Sequence, residues 1–388
     1  MLVLARRFAL FVLFLMIAAA PAEAATVIVK YRRGVASVRR HSSERAAGVR
    51  GVAGSVRGQG ARVLRVAGDP GVAAARLRRS PGVLYAEPNA AVRALAAPDD
   101  PLFAQLDGLA AIHALPGWDA LGLGSFPATG GVPVGIVDTG IDAGHEDLAG
   151  KVAVCATSRD GKLVVGSCAD DNDHGTHVAG TIGAVANNGI GIAGVAFASP
   201  LVVCRALSGA GGSGTVADVA NCVAFAHARG ARVISMSLGG GPAITLRNAV
   251  RAAWAGGGRR GSVLVAAAGN DGDARLDYPA GYPEVVSVAA IDGGGRRASF
   301  SNANGDVELA APGVDVLSTK RGGGYVRFSG TSMATPHAAG AAALLWGAHR
   351  RSTAQTIRDR LDGAVADLGA PGRDPEYGFG VIDLARAG

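Results

Sequence analysis

Val132-Pro133-Val134-Gly135-Ile136-Val137-Asp138-Thr139-Gly140 is an apolar run that ends in a carboxylate and a glycine turn. A strand that is apolar on both faces predicts burial on both faces, as in a parallel sheet covered by helices. The pattern returns at Leu201-Val202-Val203-Cys204-Arg205-Ala206, Ala231-Arg232-Val233-Ile234-Ser235-Met236 and Gly261-Ser262-Val263-Leu264-Val265-Ala266-Ala267. Small-residue stretches between the runs read as helices at His174 to Ala186, Asp218 to Arg229 and Ala243 to Gly256. This alternation predicts an α/β fold with a doubly wound, mostly parallel sheet. Ligands of such sheets bind past the carboxyl ends of the strands, which is where Asp138 stands.

Composition agrees with a globular chain. Of 388 residues 49% are hydrophobic and 18% charged, and 59 glycines imply many tight turns and little long helix. The net charge of +7 and pI near 9.6 first suggest an anionic partner. The distribution removes that reading. Residues 25–97 hold 14 Lys and Arg against 3 Asp and Glu, and residues 98–388 hold 22 against 27. The basic charge belongs to a small N-terminal part, so no nucleic-acid partner is expected. Opposite signs instead suit two pieces that dock.

Met1 to Ala24 carries Arg6 and Arg7, thirteen apolar residues from Phe8 to Ala20, and Ala22-Glu23-Ala24. That is the pattern of a secretory signal peptide cut after Ala24. The apolar run is short for a bilayer span, and no stable membrane insertion is expected of the remainder. Residues 25–97 read as a small α+β unit, with strands at Thr26-Val27-Ile28-Val29-Lys30-Tyr31, Arg62 to Val66 and Val83 to Glu87, and a short helix from Val72 to Arg79. The stretch from Ala90 to Ala97 reads as an extended tail, and Pro98-Asp99-Asp100-Pro101 marks a boundary.

Three further stretches carry chemistry. Asp173-His174-Gly175-Thr176-His177-Val178-Ala179-Gly180 opens a helix with two histidines three apart, a spacing open to metal ligation. No third His or Cys follows at a zinc spacing, so a general base at a helix start is the better reading. Ala268-Gly269-Asn270-Asp271-Gly272 follows an apolar strand and offers an amide donor. Gly330-Thr331-Ser332-Met333-Ala334-Thr335-Pro336-His337 runs into an alanine-rich helix. Its serine is set among helix-start amides that favour developing negative charge, and Pro336 is placed in the first turn.

In this order the four motifs resemble those of the subtilisin-like serine proteases, with similarity from about Asp100 to Leu384. The resemblance implies a serine endopeptidase with Ser332 as nucleophile, His174 as general base and Asp138 orienting it. Asn270 is implied as the oxyanion donor with the Ser332 N–H. It also implies cleft walls at Ser237-Leu238-Gly239-Gly240 and Gly211-Gly212-Ser213-Gly214, with Ala267, Ala268 and Gly269 lining the first specificity pocket. The stretch Asp273 to Ala280 is similar to the proteinase K branch of the family. Asp271, Asp273 or Asp277 there would favour a basic residue next to the scissile bond unless Arg275 neutralises them.

By resemblance, structural calcium is held by Asp100, Asp147, Asn188 and the carbonyls of Ala186, Ile190 and Ile192, and no organic cofactor is needed. The N-terminal unit resembles the family's inhibitory propeptides, ferredoxin-like in fold, which lie in the active site before self-cleavage. A cut is expected within Leu95 to Pro98. The protein is thus expected to be a secreted, extracellular or periplasmic monomer acting on proteins, with broad specificity. Tyr377 to Leu384 resembles the end of the catalytic domain, with no module expected beyond it. Four cysteines in an exported chain suggest two disulfides, and three pairings exist. Cys155 with Cys168 and Cys204 with Cys222 are favoured because each closes a short loop. Two rivals stand beside this reading, a narrow processing protease and a non-catalytic peptide-binding relative, which would show a lost triad residue.

Overall fold

The computed structural model describes residues 25–90 and 97–387. The expected signal peptide and most of the expected tail and cleavage region lie outside those residues. The chain divides into two compact units at residues 94–95.

The first unit has β1 (Thr26–Tyr31), α1 (Ser37–Ala46), β2 (Val49–Val56), β3 (Ala61–Val66), α2 (Pro70–Arg78) and β4 (Val83–Pro88). The strands form an antiparallel sheet in the order β2-β3-β1-β4, a βαββαβ ferredoxin-like arrangement. Val27, Val29, Leu64, Ala74 and Leu77 fill its core. Helix α2 starts where Asp69 accepts the Val72 N–H at 2.8 Å, with Pro70 as its first residue. The sequence reading missed α1 and β2. The only buried residue of α1 is Glu44, which binds Arg62 at 2.5 Å and accepts from Tyr31 Oη at 3.2 Å, so no apolar stripe announces the helix.

The second unit contains α3 (Asp107–Ala111), α4 (Ala114–Ala120), β5 (Val134–Asp138), β6 (Val152–Arg159), β7 (Lys162–Val165), α5 (His174–Gly183) and β8 (Leu201–Arg205). It continues with α6 (Val216–Ala228), β9 (Val233–Met236), α7 (Ile244–Trp254), β10 (Val263–Ala267), β11 (Val285–Ile291), β12 (Val307–Pro312), β13 (Val316–Thr319) and β14 (Tyr325–Phe328). It closes with α8 (Thr331–Ala348), α9 (Ala354–Gly363), β15 (Val365–Ala366) and β16 (Val381–Ile382). Ten strands form one sheet in the order β15-β16-β12-β11-β10-β9-β5-β8-β6-β7. Antiparallel pairing is confined to its two edges, β15 with β16 and β6 with β7.

Alternate residues of each central strand feed opposite faces of this sheet. Ile136, Val203, Val233 and Val265 pack with α5 and α8, while Val137, Val202, Ile234 and Leu264 pack with α6 and α7. Two-sided burial is why these strands read as unbroken apolar runs. Helix α8 is buried along most of its length, and its alanines and Gly340 let it lie close against the sheet and Val195. The order reverses about β5, so the loops after β5, β9 and β10 open at one crevice.

Two sequence expectations are corrected. Cys204 on β8 bonds to Cys222 on α6, but Cys155 and Cys168 are separate thiols. The β6–β7 hairpin runs between them, with the Gly166 N–H on the Cys155 carbonyl at 2.8 Å, and burial raises the Cys168 thiol pKa. Pro336 is the sixth residue of α8, not a first-turn residue. Its missing N–H leaves the Ser332 carbonyl without its i+4 partner, and Ser237 Oγ donates to that oxygen instead at 2.8 Å.

Candidate active site

Asp138 is the last residue of β5 and is wholly buried. Its Oδ1 accepts from the Thr139 N–H at 2.7 Å and pairs with His174 Nδ1 at 2.7 Å, while Oδ2 has no partner. A carboxylate only accepts, so the pair fixes the proton on Nδ1 and leaves Nε2 of the neutral ring as an acceptor. The His174 side chain is 25% exposed, enough to meet a ligand. Burial opposes its charge, but the charge and hydrogen bond of Asp138, with Asp170 behind, outweigh that and raise the His174 pKa.

His174 is the first residue of α5, and the carboxylate that organises this helix start is Asp170. Asp170 Oδ1 accepts from Thr139 Oγ1 at 2.8 Å and the Asn172 N–H at 2.9 Å; Oδ2 accepts from the Thr176 N–H at 3.0 Å and Thr176 Oγ1 at 2.6 Å. Burial would raise the Asp170 pKa, yet these bonds hold it below the usual carboxylate value. Thr139 Oγ1 in turn accepts from the Gly175 N–H at 2.8 Å. Thr139, directly after Asp138, is thereby tied to the residue directly after His174. A β-carbon on Gly140 would run into the Cys168 carbonyl, and one on Gly175 into the Gly140 carbonyl, so both glycines are needed for this approach. Sequence reading missed Asp170 because three aspartates precede His174 and capping chemistry alone does not choose among them.

Ser332 is the second residue of α8, half-buried, with its hydroxyl on the Ser237 carbonyl at 3.3 Å. Asn270, exposed after β10, accepts the Thr331 N–H at 2.8 Å and Thr331 Oγ1 at 2.9 Å through Oδ1. Two donors on the oxygen fix the amide orientation and leave the Nδ2 hydrogens beside the start of α8. Ser237, Leu238 and Gly239 face Gly211 to Gly214 across a cleft of about 470 Å³ that His174 and Tyr278 also line. Ala268 and Gly269 are not in the lining of that cleft. Gly269 stands beside it, its N–H on Thr331 Oγ1 at 3.3 Å.

His177 and His337 are buried and hydrogen-bonded to the carbonyls of Val316 and Met333, each at 2.9 Å. Burial lowers the pKa of each to about 4, and His177 stacks on Phe328. Among the described residues no group of three or more His, Cys, Asp or Glu is close enough to hold a metal. The set expected for calcium is of another kind, mostly amide and carbonyl oxygen. Asp147 Oδ1 faces Asn188 Nδ2 at 3.0 Å, and Asp147 Oδ2 accepts from the Ile192 N–H and Tyr325 Oη, each at 2.8 Å. Asn188 Oδ1 is engaged by the Ile190 N–H at 2.8 Å. Asp100 is buried beside the loop, with Oδ2 on the Asn187 N–H at 2.7 Å and Oδ1 unpartnered. Burial, and more weakly their mutual repulsion for Asp100, raises the pKa of both aspartates.

Residues 129–380 match the model of the subtilase family of peptidases. The chain belongs to that family and is a serine endopeptidase. It is 40% identical over 304 residues to a thermophilic serine proteinase of Bacillus sp. (strain AK1), covering 78% of this chain and 72% of the relative. It is 40% identical over 277 residues to thermitase of Thermoactinomyces vulgaris, covering 71% of this chain and 94% of that one. A solved structure of a protease from Pseudoalteromonas arctica PAMC 21717 superposes with a TM-score of 0.65 at 31% identity, over 75% of this chain and 98% of the other.

Proposed function

We propose that the chain is a secreted, self-processing serine endopeptidase in which Ser332, His174 and Asp138 form the catalytic triad and Asn270 the oxyanion donor. The observation that carries this is the 2.7 Å Asp138–His174 pair, with His174 lining the same cleft as Ser237, whose carbonyl accepts from the Ser332 hydroxyl at the start of a buried helix. The Ser332 hydroxyl is held only at 3.3 Å by Ser237, so it is free to turn toward His174 Nε2. In the reaction His174 takes the hydroxyl proton as Ser332 attacks the peptide carbonyl, then gives it to the leaving amine. Water repeats the sequence on the acyl-enzyme. Asn270 Nδ2 and the Ser332 N–H donate to the oxyanion, and Asn270→Ala lowers kcat by about 10²- to 10³-fold. Stopped assays at saturating peptide measure this.

A substrate strand lies between Ser237-Leu238-Gly239 and Gly211 to Gly214, adding to the backbone edges there. The fluorophosphonate reaction tests the assignment. A single label on Ser332 with loss of casein hydrolysis is expected. A folded, casein-cleaving protein labelled elsewhere would contradict it.

The acidic limb of the pH profile follows from the pair. Catalysis needs neutral His174, and its pKa is raised, so kcat/KM falls as pH drops through a midpoint above the ordinary imidazole value of about 6.5. A limb at or below that value in a pH-rate series contradicts the coupling.

The expected calcium set fits a hard cation. Asp100 Oδ1 is a buried carboxylate oxygen with no partner, and the carbonyls of Ala186, Ile190 and Ile192 receive no hydrogen bond among the described residues. Asp100 and Asp147, with Asn188 and those carbonyls, would hold calcium, which would supply charge balance and loop rigidity. In a Ser332→Ala background, calcium at about 100 times its Kd stabilises by about 2.7 kcal/mol. EGTA removes that gain, as does Asp100→Ala. A thermal midpoint indifferent to EGTA counts against the site.

The basic N-terminal unit, residues 25–97, is read as propeptide and the rest as the catalytic domain. Its ferredoxin-like sheet and the charge contrast support a folding template that the protease later removes. Among the described residues no helix is long and apolar enough to cross a membrane, and secretion rests on the Met1 to Ala24 pattern.

A further inference from the structure

We infer that Asp277 is a specificity-determining residue, its carboxylate selecting arginine or lysine as the substrate residue before the scissile bond. This rests on the proteolytic reading and narrows it at one subsite. Asp277 is half-buried between the two backbone walls expected to hold that residue. A β-carbon on Gly269 would overlap the Asp277 carboxylate, and one on Gly239 would lie 3.1 Å from its Cβ and Cγ. The next residue joins the walls, the Tyr278 N–H donating to the Gly240 carbonyl at 2.9 Å. Glycine on both sides gives the carboxylate its room.

The neighbours that would neutralise this charge are engaged elsewhere. Arg275 pairs with Asp273 at 2.8 Å and with Asp271 at 3.2 Å. The amide of Asn302, close behind Gly269, donates to the Arg275 carbonyl at 3.3 Å and accepts the Asp271 N–H at 2.9 Å. Among the described residues the Asp277 carboxylate has no hydrogen bond or ion pair, while its backbone carbonyl accepts the Gly281 N–H at 2.8 Å. Three aspartates share this loop with one arginine, leaving it an acidic surface. Burial and the Asp271 charge raise the Asp277 pKa, with Arg275 opposing, which is the mark of a carboxylate that an incoming cation would relieve. A guanidinium or ammonium placed there forms a charge-assisted hydrogen bond that a neutral side chain cannot.

The test compares kcat/KM for chromogenic tetrapeptides that differ only in the residue before the scissile bond: arginine, lysine, citrulline and leucine. Citrulline keeps the shape of arginine and removes its charge. Arginine should exceed citrulline by about tenfold or more in the wild type. In Asp277→Asn the ratio should fall to near one, and Asp277→Glu should recover part of it. A ratio cancels any general loss of activity in a variant, and the wild-type comparison needs no variant. Equal rates on arginine and citrulline, or an unchanged ratio in Asp277→Asn, would overturn the inference while leaving the protease reading intact. No hydrolysis of any of the four, with no fluorophosphonate label on Ser332, would overturn both.

Discussion

Ser332→Ala lowers kcat by about 10⁶-fold, to a residual rate set by the oxyanion donors and substrate binding alone. The structure says why so much hangs on one oxygen. Helix α8 is buried along most of its length, and the Ser332 carbonyl, released by Pro336, is taken by Ser237 Oγ at 2.8 Å. The backbone at Ser332 is therefore held from both sides while its hydroxyl is only loosely bound. Alanine at this position keeps the helix start and removes only the hydroxyl proposed as nucleophile. Peptide binding should survive, so equilibrium affinity for a cleft-binding peptide near the wild-type value, together with lost turnover, is the expected pair of results. Turnover within tenfold of the wild type would exclude Ser332 as nucleophile.

Asp138→Asn lowers kcat by about 10⁴-fold. Asp138 Oδ1 now accepts both the Thr139 N–H and His174 Nδ1–H. An asparagine that keeps its oxygen on Thr139 turns its amide nitrogen to other contacts and brings no charge. One that presents nitrogen to His174 forces the proton onto Nε2, the atom proposed to accept from Ser332. In both cases the imidazolium formed during attack loses its buried counter-charge. The same substitution removes the main influence that raises the His174 pKa, so the residual activity should have its acidic limb displaced downward. A pH-rate profile of the variant measures both effects. An unmoved limb would mean that Asp138 does not set the charge on His174.

What the sequence revealed, and what it hid, divides along physical lines. The central strands were legible because burial on both faces leaves almost no polar residue in them, as at β5, β9 and β10. Helix α1 was not, because it meets the sheet through the carboxylate of Glu44, and hydrophobic periodicity carries no trace of such a contact. Asp138 and His174 were visible as motif residues, but the brace of Asp170, Thr139 and Thr176 was not. It joins the loop after β5, the loop before α5 and the first turn of α5 through side-chain oxygens whose partners are chosen only when the sheet is assembled. The two cysteine pairs looked alike by spacing, yet only the pair that clips β8 to α6 is bonded. In the loop after Asn270 the sequence offered three aspartates and one arginine without their pairing. In the fold Arg275 is held by two of them and the Asp277 carboxylate stands apart.

Self-cleavage by Ser332 is tested by following the intact mass of residues 25–388, refolded as wild type and as Ser332→Ala. The wild type should split near residue 97 into a basic fragment and a protease active on casein, while the Ser332→Ala chain should stay whole under the same conditions. A folded wild type that remains uncut and leaves casein intact, or a Ser332→Ala chain that still splits in isolation, would contradict it.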